Sequence, residues 1–402
     1  MSTVLIVGGG LSGLVCAKRL LAATSSSRVQ VNIIILESRD RMGGRMFSEN
    51  EVDLGPAWTW PGHDKNLGAL LREMNVVTDP QPCTGATLNH LGSGDVQSIG
   101  SNISPAGDGA FRMRGGTSAL VEKLCTHVTN QGAKIMLLHK VEAVVENDKG
   151  IELKVVNMTQ GGACIEMKAD ALVLALPPRL IASGIRFTPE LPENRRLAML
   201  STPIWMSDTG KIALIYDENW WNKKGLSGTV FSDKGPLMQC WDNSGTVNTI
   251  DDSGKGTNLQ KSKVHALAGF VFGEKDLADM RSNVEATNDA NMNTKLSPII
   301  DQLVEIFGEE ARMYTKIICK SWIDDENTNT CDTDGIRKNY IIPFGHPLVS
   351  AKLGERIVFA GTESVANENG HMEGAVIGGI RAADELLELT YEGWPLFGIS
   401  RS

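Results

Sequence analysis

Val4-Leu5-Ile6-Val7 runs into Gly8-Gly9-Gly10-Leu11-Ser12-Gly13, and a second apolar run, Val31 to Leu36, ends at Glu37. These residue types at this spacing can hold a dinucleotide. Gly8 permits a tight turn, and Gly10 lets backbone approach a pyrophosphate. Gly13 lets the following helix pack close on a sheet, and the first turn of that helix, with Ser12, faces the phosphates. Glu37 stands where a ribose-binding acid is expected, about twenty residues on. A strand before, a helix after and an acid at the second strand end separate this pattern from a chance cluster in a chain with 42 glycines.

Arg39-Asp40-Arg41-Met42-Gly43-Gly44-Arg45 follows, and its Gly43-Gly44-Arg45 extension favours FAD among the dinucleotides. The stretch Leu36 to Arg45 resembles the second signature of the flavin amine oxidase family, the group of monoamine oxidase, L-amino acid oxidase and protoporphyrinogen oxidase. The resemblance implies that Arg39, Gly43, Gly44 and Arg45 lie along the FAD diphosphate and flavin edge. Asp53 to Trp60 is similar to the family stretch beside the flavin, which adds Gly55, Pro56, Ala57 and Trp58. Phe359-Ala360-Gly361-Thr362-Glu363, then Gly370-His371-Met372-Glu373-Gly374-Ala375, resembles the last flavin motif. It implies that Gly361, Thr362, Glu363, His371, Met372 and Ala375 bind FAD. A helix starting near Met372 would aim N–H groups at the flavin pyrimidine, where negative charge gathers on reduction. Val141 matches the position whose backbone holds the adenine.

Gly210-Lys211-Ile212-Ala213-Leu214-Ile215-Tyr216, with Trp220-Trp221 after it, resembles the segment in which a lysine reaches flavin N5 through a bound water. Lys211 is thereby expected to be catalytic. Trp322 stands where the family has a tryptophan near the flavin ring, although the pattern departs downstream, from Gly335 to Gly345. Of two tyrosines that flank the amine in animal monoamine oxidases, one falls at His371 and the other around Lys338 to Tyr340, so that cage is altered or absent. His371 facing the flavin would accept a hydrogen bond or, protonated, bind a carboxylate. Cys331 lies too early for the covalent attachment some relatives make, so the FAD is expected to be non-covalent. L-amino acid oxidases place an arginine about where Trp58 stands, and tryptophan cannot clamp a carboxylate. Arg112, Arg114 or His371 would have to substitute. Trp58, Trp60, Trp205, Trp241 and His371 are expected to line a substrate pocket that suits an aryl or alkyl amine.

The implied reaction moves a hydride from the carbon next to an amine to flavin N5. The imine hydrolyses to an aldehyde or ketone, and oxygen yields hydrogen peroxide. The alternatives are a C–C desaturase or oxidase similar to protoporphyrinogen oxidase, and an L-amino acid oxidase.

The elements that must position these residues alternate between helix and strand. Residues 1 to 75 read as a βαβ unit and its extension. Residues 76 to 110 read as a Gly/Ser/Pro/Asn-rich excursion with short strands. A helix starts at Thr117 or Ser118, either of which would cap it. Strands are expected at Lys134–Leu138, Val141–Glu146, Ile151–Val156, Ala171–Leu176, Lys211–Tyr216, Ala266–Phe272 and 357–361, with helices at Pro298–Phe307 and Met372–Leu389. Asn243 to Lys263 reads as a polar loop. The fold class is α/β: an FAD-binding Rossmann-like (GR2-type) domain from 1–75, 111–184 and 335–395, with an inserted α+β substrate-binding domain from 76–110 and 185–334.

The 402 residues suit two domains. A net charge of −9 argues against nucleic acid or an anionic membrane as partner. Seven scattered cysteines, with no CxxC pair and no metal spacing, indicate reduced thiols, no metal site and a cytoplasmic location. Neither a secretory signal nor a transmembrane stretch of about 18 apolar residues is expected. The partners expected are a small amine and oxygen, and a homodimer is left open.

Overall fold

A computed structural model describes residues 2–25, 31–250, 259–272, 277, 296–330 and 345–389. Strands β1 (Ser2–Val7), β2 (Val31–Leu36), β3 (Lys134–Met136), β4 (Ala171–Leu174) and β5 (Ile357–Phe359) form a parallel sheet in the order β5-β4-β1-β2-β3. Parallel strands are buried on both faces, so they read as unbroken apolar runs. The two-residue period then divides each run. Val4, Ile6, Ile33, Ile35, Val173 and Val358 pack on helices α1 (Leu11–Ser25), α2 (Lys65–Glu73), α3 (Ser118–Asn130) and α4 (Met372–Leu389). Leu5, Val7, Leu36, Leu172, Leu174 and Phe359 pack the other way, on a four-stranded sheet. Its order is Ala163–Ala169, Gly150–Asn157, His139–Asn147, Arg186–Thr188.

A larger, mostly antiparallel sheet runs in the order Tyr314–Ser321, Gly210–Tyr216, Leu259–Val271, Leu237–Asp242, Leu226–Ser232, Ala86–His90, Val96–Ser101. Helix Ser297–Phe307 covers it with Ile299, Ile300, Leu303, Ile306 and Phe307, the apolar stripe of a helix on a core. No described helix is long and apolar enough to cross a membrane.

Two local expectations are corrected. Asn243 to Lys263 is not all loop: Gly245–Ile250 is a strand paired with Leu259–Val271, polar because it is an added strand off the main path of the sheet. Thr117 does stand at the N-cap of α3, but its side chain makes no capping hydrogen bond. The Thr117 N–H donates instead to Asp53 Oδ1 at 2.7 Å, so a distant carboxylate does that work. Several strands end a residue or two from where they were expected, and the strand expected from Ala266 begins at Leu259.

Gly13 shows how tightly the first turn is built. A Cβ there would collide with the Gly8 carbonyl oxygen. Gly13→Ala is therefore expected to lower the stability of the FAD-free protein by about 1–3 kcal/mol, the usual cost of overpacking. Gly62→Ala, where nothing lies within 4 Å, serves as its control. Equal thermal midpoints for the two variants would disprove the close helix–sheet contact.

Candidate active site

The chain order of the parallel sheet reverses beside β1, and a crevice at that point is where ligands bind in open α/β sheets. β1 and β2 end there together. The Gly8 N–H donates to the Leu36 carbonyl at 2.8 Å, and Gly8 has φ of 108°, a conformation open to glycine. A Cβ at Gly8 would also lie 2.5 Å from the Ala175 carbonyl oxygen. Glu37 is buried and joins the loops: its Oε2 accepts from the Gly9 N–H at 2.8 Å and its Oε1 from the Arg39 N–H at 2.9 Å. The Gly43 N–H donates to the Gly9 carbonyl at 2.8 Å, which lays the two glycine loops side by side.

These loops open a cleft of about 650 Å³. Among the expected cofactor residues, Gly8, Gly10, Ser12, Glu37, Arg39, Gly43, Gly44, Arg45, Gly55, Pro56, Ala57, Trp58, Gly361, Thr362, Glu363, His371, Met372 and Ala375 line it. The Ser12 hydroxyl is buried there without a partner among the described residues, beside the first-turn N–H groups of α1. An unpartnered donor at a helix N-terminus is the chemistry that a phosphate oxygen satisfies, so the residues present fit a dinucleotide such as FAD. Arg45 and Glu363 form a two-point ion pair, with Nη1–Oε1 2.7 Å and Nη2–Oε2 3.0 Å, joining the first glycine-rich segment to the last. Arg41 donates to the carbonyls of Met42, Gly44 and Met46, which holds the Gly43-Gly44 turn from within.

Three expected residues stand apart. Gly13 does not face the cleft and acts through its contact with Gly8. Val141 does not line it either; it is buried between the sheets and paired with Val155. Trp241 is fully buried and lies one layer beneath the cleft wall rather than on it. Arg39 lines the cleft, but its Nη2 turns away from the glycine loops to Asp325 Oδ1 at 2.6 Å.

The far end of the cleft is aromatic. Lys211 is buried, and its Nζ donates to the Gly55 carbonyl at 2.6 Å. Trp241 and Phe270 lie 5.2 Å from Nζ and Trp58 lies 6.0 Å away, so three rings surround the amine. Trp58 and Phe270 each sit 4.8 Å from Trp241. Burial pushes the Lys211 ammonium down to about 7; the Asp53 carboxylate opposes that shift and the Arg112 guanidinium adds to it. Trp322 donates its Nε1–H to the Leu54 carbonyl at 2.9 Å, next to the carbonyl that Lys211 holds. Trp58 donates to Gln81 Oε1 at 2.7 Å and Trp60 to the Ala106 carbonyl at 3.2 Å, which fixes both indoles. At the mouth, the half-exposed His371 meets Trp205 edge-on, ring centroids 5.4 Å apart, with Glu368 Oε2 3.8 Å from its Nδ1.

Arg112 and Arg114 do not reach the cleft. Arg112 is buried beside Asp53 and donates to the Ser244 carbonyl, and Arg114 makes a two-point bond with Asp79. Phe231, Met238, Gln239, Phe270, Phe272, Asn327 and Thr328 line the cleft without having been singled out in the sequence. Phe270 pairs directly with Lys211 across two antiparallel strands, a register with no local mark in the sequence. Cys331 and the segment Gly335 to Phe344, with Lys338 and Tyr340, lie outside the described residues, as does the tail around Trp394.

A family model described as flavin containing amine oxidoreductase matches residues 100–387, and one described as an NAD(P)-binding Rossmann-like domain matches residues 6–74. The chain is 24% identical to amine oxidase [flavin-containing] A of Equus caballus, over 96% of this chain and 85% of that protein. It is 23% identical to amine oxidase [flavin-containing] B of Homo sapiens, over 96% and 86%. Among solved structures, putrescine oxidase bound to putrescine superposes with a TM-score of 0.72 at 19% identity, covering 96% of this chain and 99% of that one. Cyclohexylamine oxidase from Brevibacterium oxydans superposes at 0.71 and 18%, with the same coverage. At these identities the superpositions speak for the fold.

Lys211 generates a pH dependence. Its folded value near 7 lies below its ordinary 10.5, so between those values the unfolded chain binds more protons and stability rises with pH. Lys211→Met removes that titration. In FAD-free protein the stability of the variant relative to wild type is expected to be highest below pH 7 and to fall by at least about 1 kcal/mol towards pH 10, since each tenfold in proton affinity is about 1.4 kcal/mol. A difference in urea midpoint that stays constant across pH 6 to 10 would mean that the buried amine does not titrate in this range.

Proposed function

The chain belongs to the family of flavin-containing amine oxidoreductases and is an FAD-dependent amine oxidase, and from that premise we propose that it oxidises an apolar monoamine. When bound, FAD would supply a two-electron acceptor at flavin N5 for a hydride from the carbon next to the amine, with oxygen as the final acceptor giving hydrogen peroxide and with an imine product that would hydrolyse to an aldehyde or ketone. The chain's own residues do the rest. The observation that carries this reading is one cleft with a phosphate-type cradle at one end and Lys211 under Trp58, Trp241 and Phe270 at the other.

The aromatic wall excludes water and accepts an aryl or alkyl group. Lys211, with a proton affinity near neutrality, can hold a water by hydrogen bond and give or take a proton at Nζ. Trp322 and Lys211 fix the Leu54–Gly55 backbone that borders the reacting space. His371 and Trp205 stand at the mouth, where an imidazole can orient an entering amine.

The charged groups select against other substrates. Among the described lining residues the carboxylates are Glu37, Asp64, Glu363 and Glu373. Each has a protein partner: Glu37 the Gly9 N–H, Asp64 the Thr59 hydroxyl and Trp60 N–H, Glu363 the Arg45 guanidinium, and Glu373 the N–H groups of Asn66 and Leu67. These contacts turn the carboxylates towards protein donors, which weakens what they can offer a second ammonium on the substrate. With Arg112 and Arg114 engaged elsewhere, neither offers a substrate carboxylate a two-point clamp, which disfavours an L-amino acid.

The same reading treats 1–75, 111–184 and 335–395 as the FAD-binding unit and 76–110 with 185–334 as the substrate-binding unit. It also takes the FAD as non-covalent and the location as cytoplasmic, in keeping with six described cysteines that are all free.

Peroxide release by the yellow protein tests the substrate. An arylalkyl monoamine is expected to show a kcat/KM at least tenfold above a diamine or an L-amino acid, and an aldehyde product distinguishes this chemistry from C–C desaturation. A diamine as good as the monoamine would remove the proposed selectivity. Lys211→Met is expected to slow amine-dependent oxygen uptake by about tenfold to a hundredfold, within the range for a lost proton-handling group, while the protein keeps its yellow colour. Unchanged uptake would end the role given to Lys211.

A further inference from the structure

We propose that Asp324–Thr328, the loop following strand Tyr314–Ser321 of the large sheet, is a clasp on the adenosine end of bound FAD, in which Asn327 and Thr328 contact the cofactor and an Arg39–Asp325–Lys320 ion cluster latches the loop. The inference rests on FAD filling the cleft. An acid at the end of the second strand of such a sheet marks the ribose of the adenosine half, so Glu37 defines that end. Asn327 and Thr328 line the cleft together with Glu37 and Arg39, although they come from the far sheet, almost three hundred positions along the chain.

The latch is built from both sides. Arg39 Nη2 donates to Asp325 Oδ1 at 2.6 Å and to Thr328 Oγ1 at 2.8 Å, and Lys320 Nζ lies 2.8 Å from Asp325 Oδ2. Both Arg39 and Asp325 are largely withdrawn from solvent, with side chains 11% and 6% exposed. Burial alone would raise the Asp325 carboxyl, but Arg39 and Lys320 together hold it below the usual carboxylate range. Asp325 also organises its own loop. Its Oδ1 accepts from the Asn327 N–H at 3.1 Å, and its carbonyl accepts from the N–H groups of Thr328 and Asn329 at 2.8 Å.

The tip of the loop is oriented for binding. Ser38 donates its hydroxyl to Asn327 Oδ1 at 2.7 Å, which fixes the carboxamide beside Glu37. Its Nδ2 donors have no partner among the described residues. A carboxamide donor and a hydroxyl suit the ring nitrogens of adenine and the ribose hydroxyls. Arg39 is then a positioning residue: it holds the clasp by the group that would otherwise reach a phosphate.

The test is FAD affinity, with no reliance on turnover. FAD-stripped protein is titrated with FAD, binding is followed by quenching of flavin fluorescence, and the thermal midpoint of each FAD-free protein is recorded. Asn327→Ala is expected to raise the Kd at least fivefold and Asp325→Asn at least tenfold, while the FAD-free midpoint of Asn327→Ala matches wild type. If Asp325→Asn does not fold, Thr328→Val, which keeps the side-chain volume and removes the hydroxyl, takes its place with an expected rise of at least threefold. Wild-type Kd in the folded variants would overturn the clasp and leave the cluster as a staple between sheets. Absence of saturable FAD binding by the wild type itself would instead overturn the cofactor premise.

Discussion

Two backbone carbonyls, Leu54 and Gly55, carry the junction on which the site depends. A buried carbonyl must have a donor, and here the donors come from the large sheet: the Trp322 indole to Leu54 and the Lys211 ammonium to Gly55. The preceding residue, Asp53, is tied the other way, accepting from the Ser48 hydroxyl and the Thr117 N–H at the start of α3. One short segment thus fixes the distance between the glycine-rich loops and the aromatic wall. Lys211 could not be replaced by a residue of similar bulk without orphaning the Gly55 carbonyl. This explains why a charged amine is tolerated among three rings, where desolvation works against it.

The local part of this arrangement was legible in the sequence. Gly8, Gly10, Gly13 and Glu37 encode their own geometry, because a turn, a close approach and a strand-end acid each require a particular residue type within one βαβ unit. The Gly361 and His371–Ala375 motif was legible for the same reason. Contacts made by pairing between distant strands were not. That Phe270 lies opposite Lys211 follows from antiparallel register, which no local pattern reveals. Trp241 looked like a pocket residue because aromatic content does not report depth, and it lies one layer too deep. The capping of α3 by Asp53, 64 positions away, could not be inferred from a helix start that already offered Thr117 and Ser118.

Charge in the cleft is organised by mutual engagement. Glu37, Glu363 and Glu373 each use a carboxylate to hold backbone or an arginine, so acidic residues beside an anionic cofactor act as struts rather than as repelling charges. Glu373 shows this most plainly. From the first turn of α4 it accepts from the Asn66 and Leu67 N–H groups at the start of α2, where a negative group is favourable. The starts of two helices on one face of the parallel sheet are thereby locked to each other.

The order of strands in the parallel sheet has a consequence for biosynthesis. β4 is flanked by β1, made well before it, and by β5, which follows it only after the whole of the large sheet has been made. While the ribosome is still at work, the β4 edge lacks its neighbour and remains open to mispairing. The motif around Gly361 arrives just behind β5, so the nascent chain cannot enclose its coenzyme until that segment has been made. Sequence separations of this size also slow folding. Expression of active enzyme should accordingly depend on chaperone capacity and on flavin supply once both glycine-rich segments have been made.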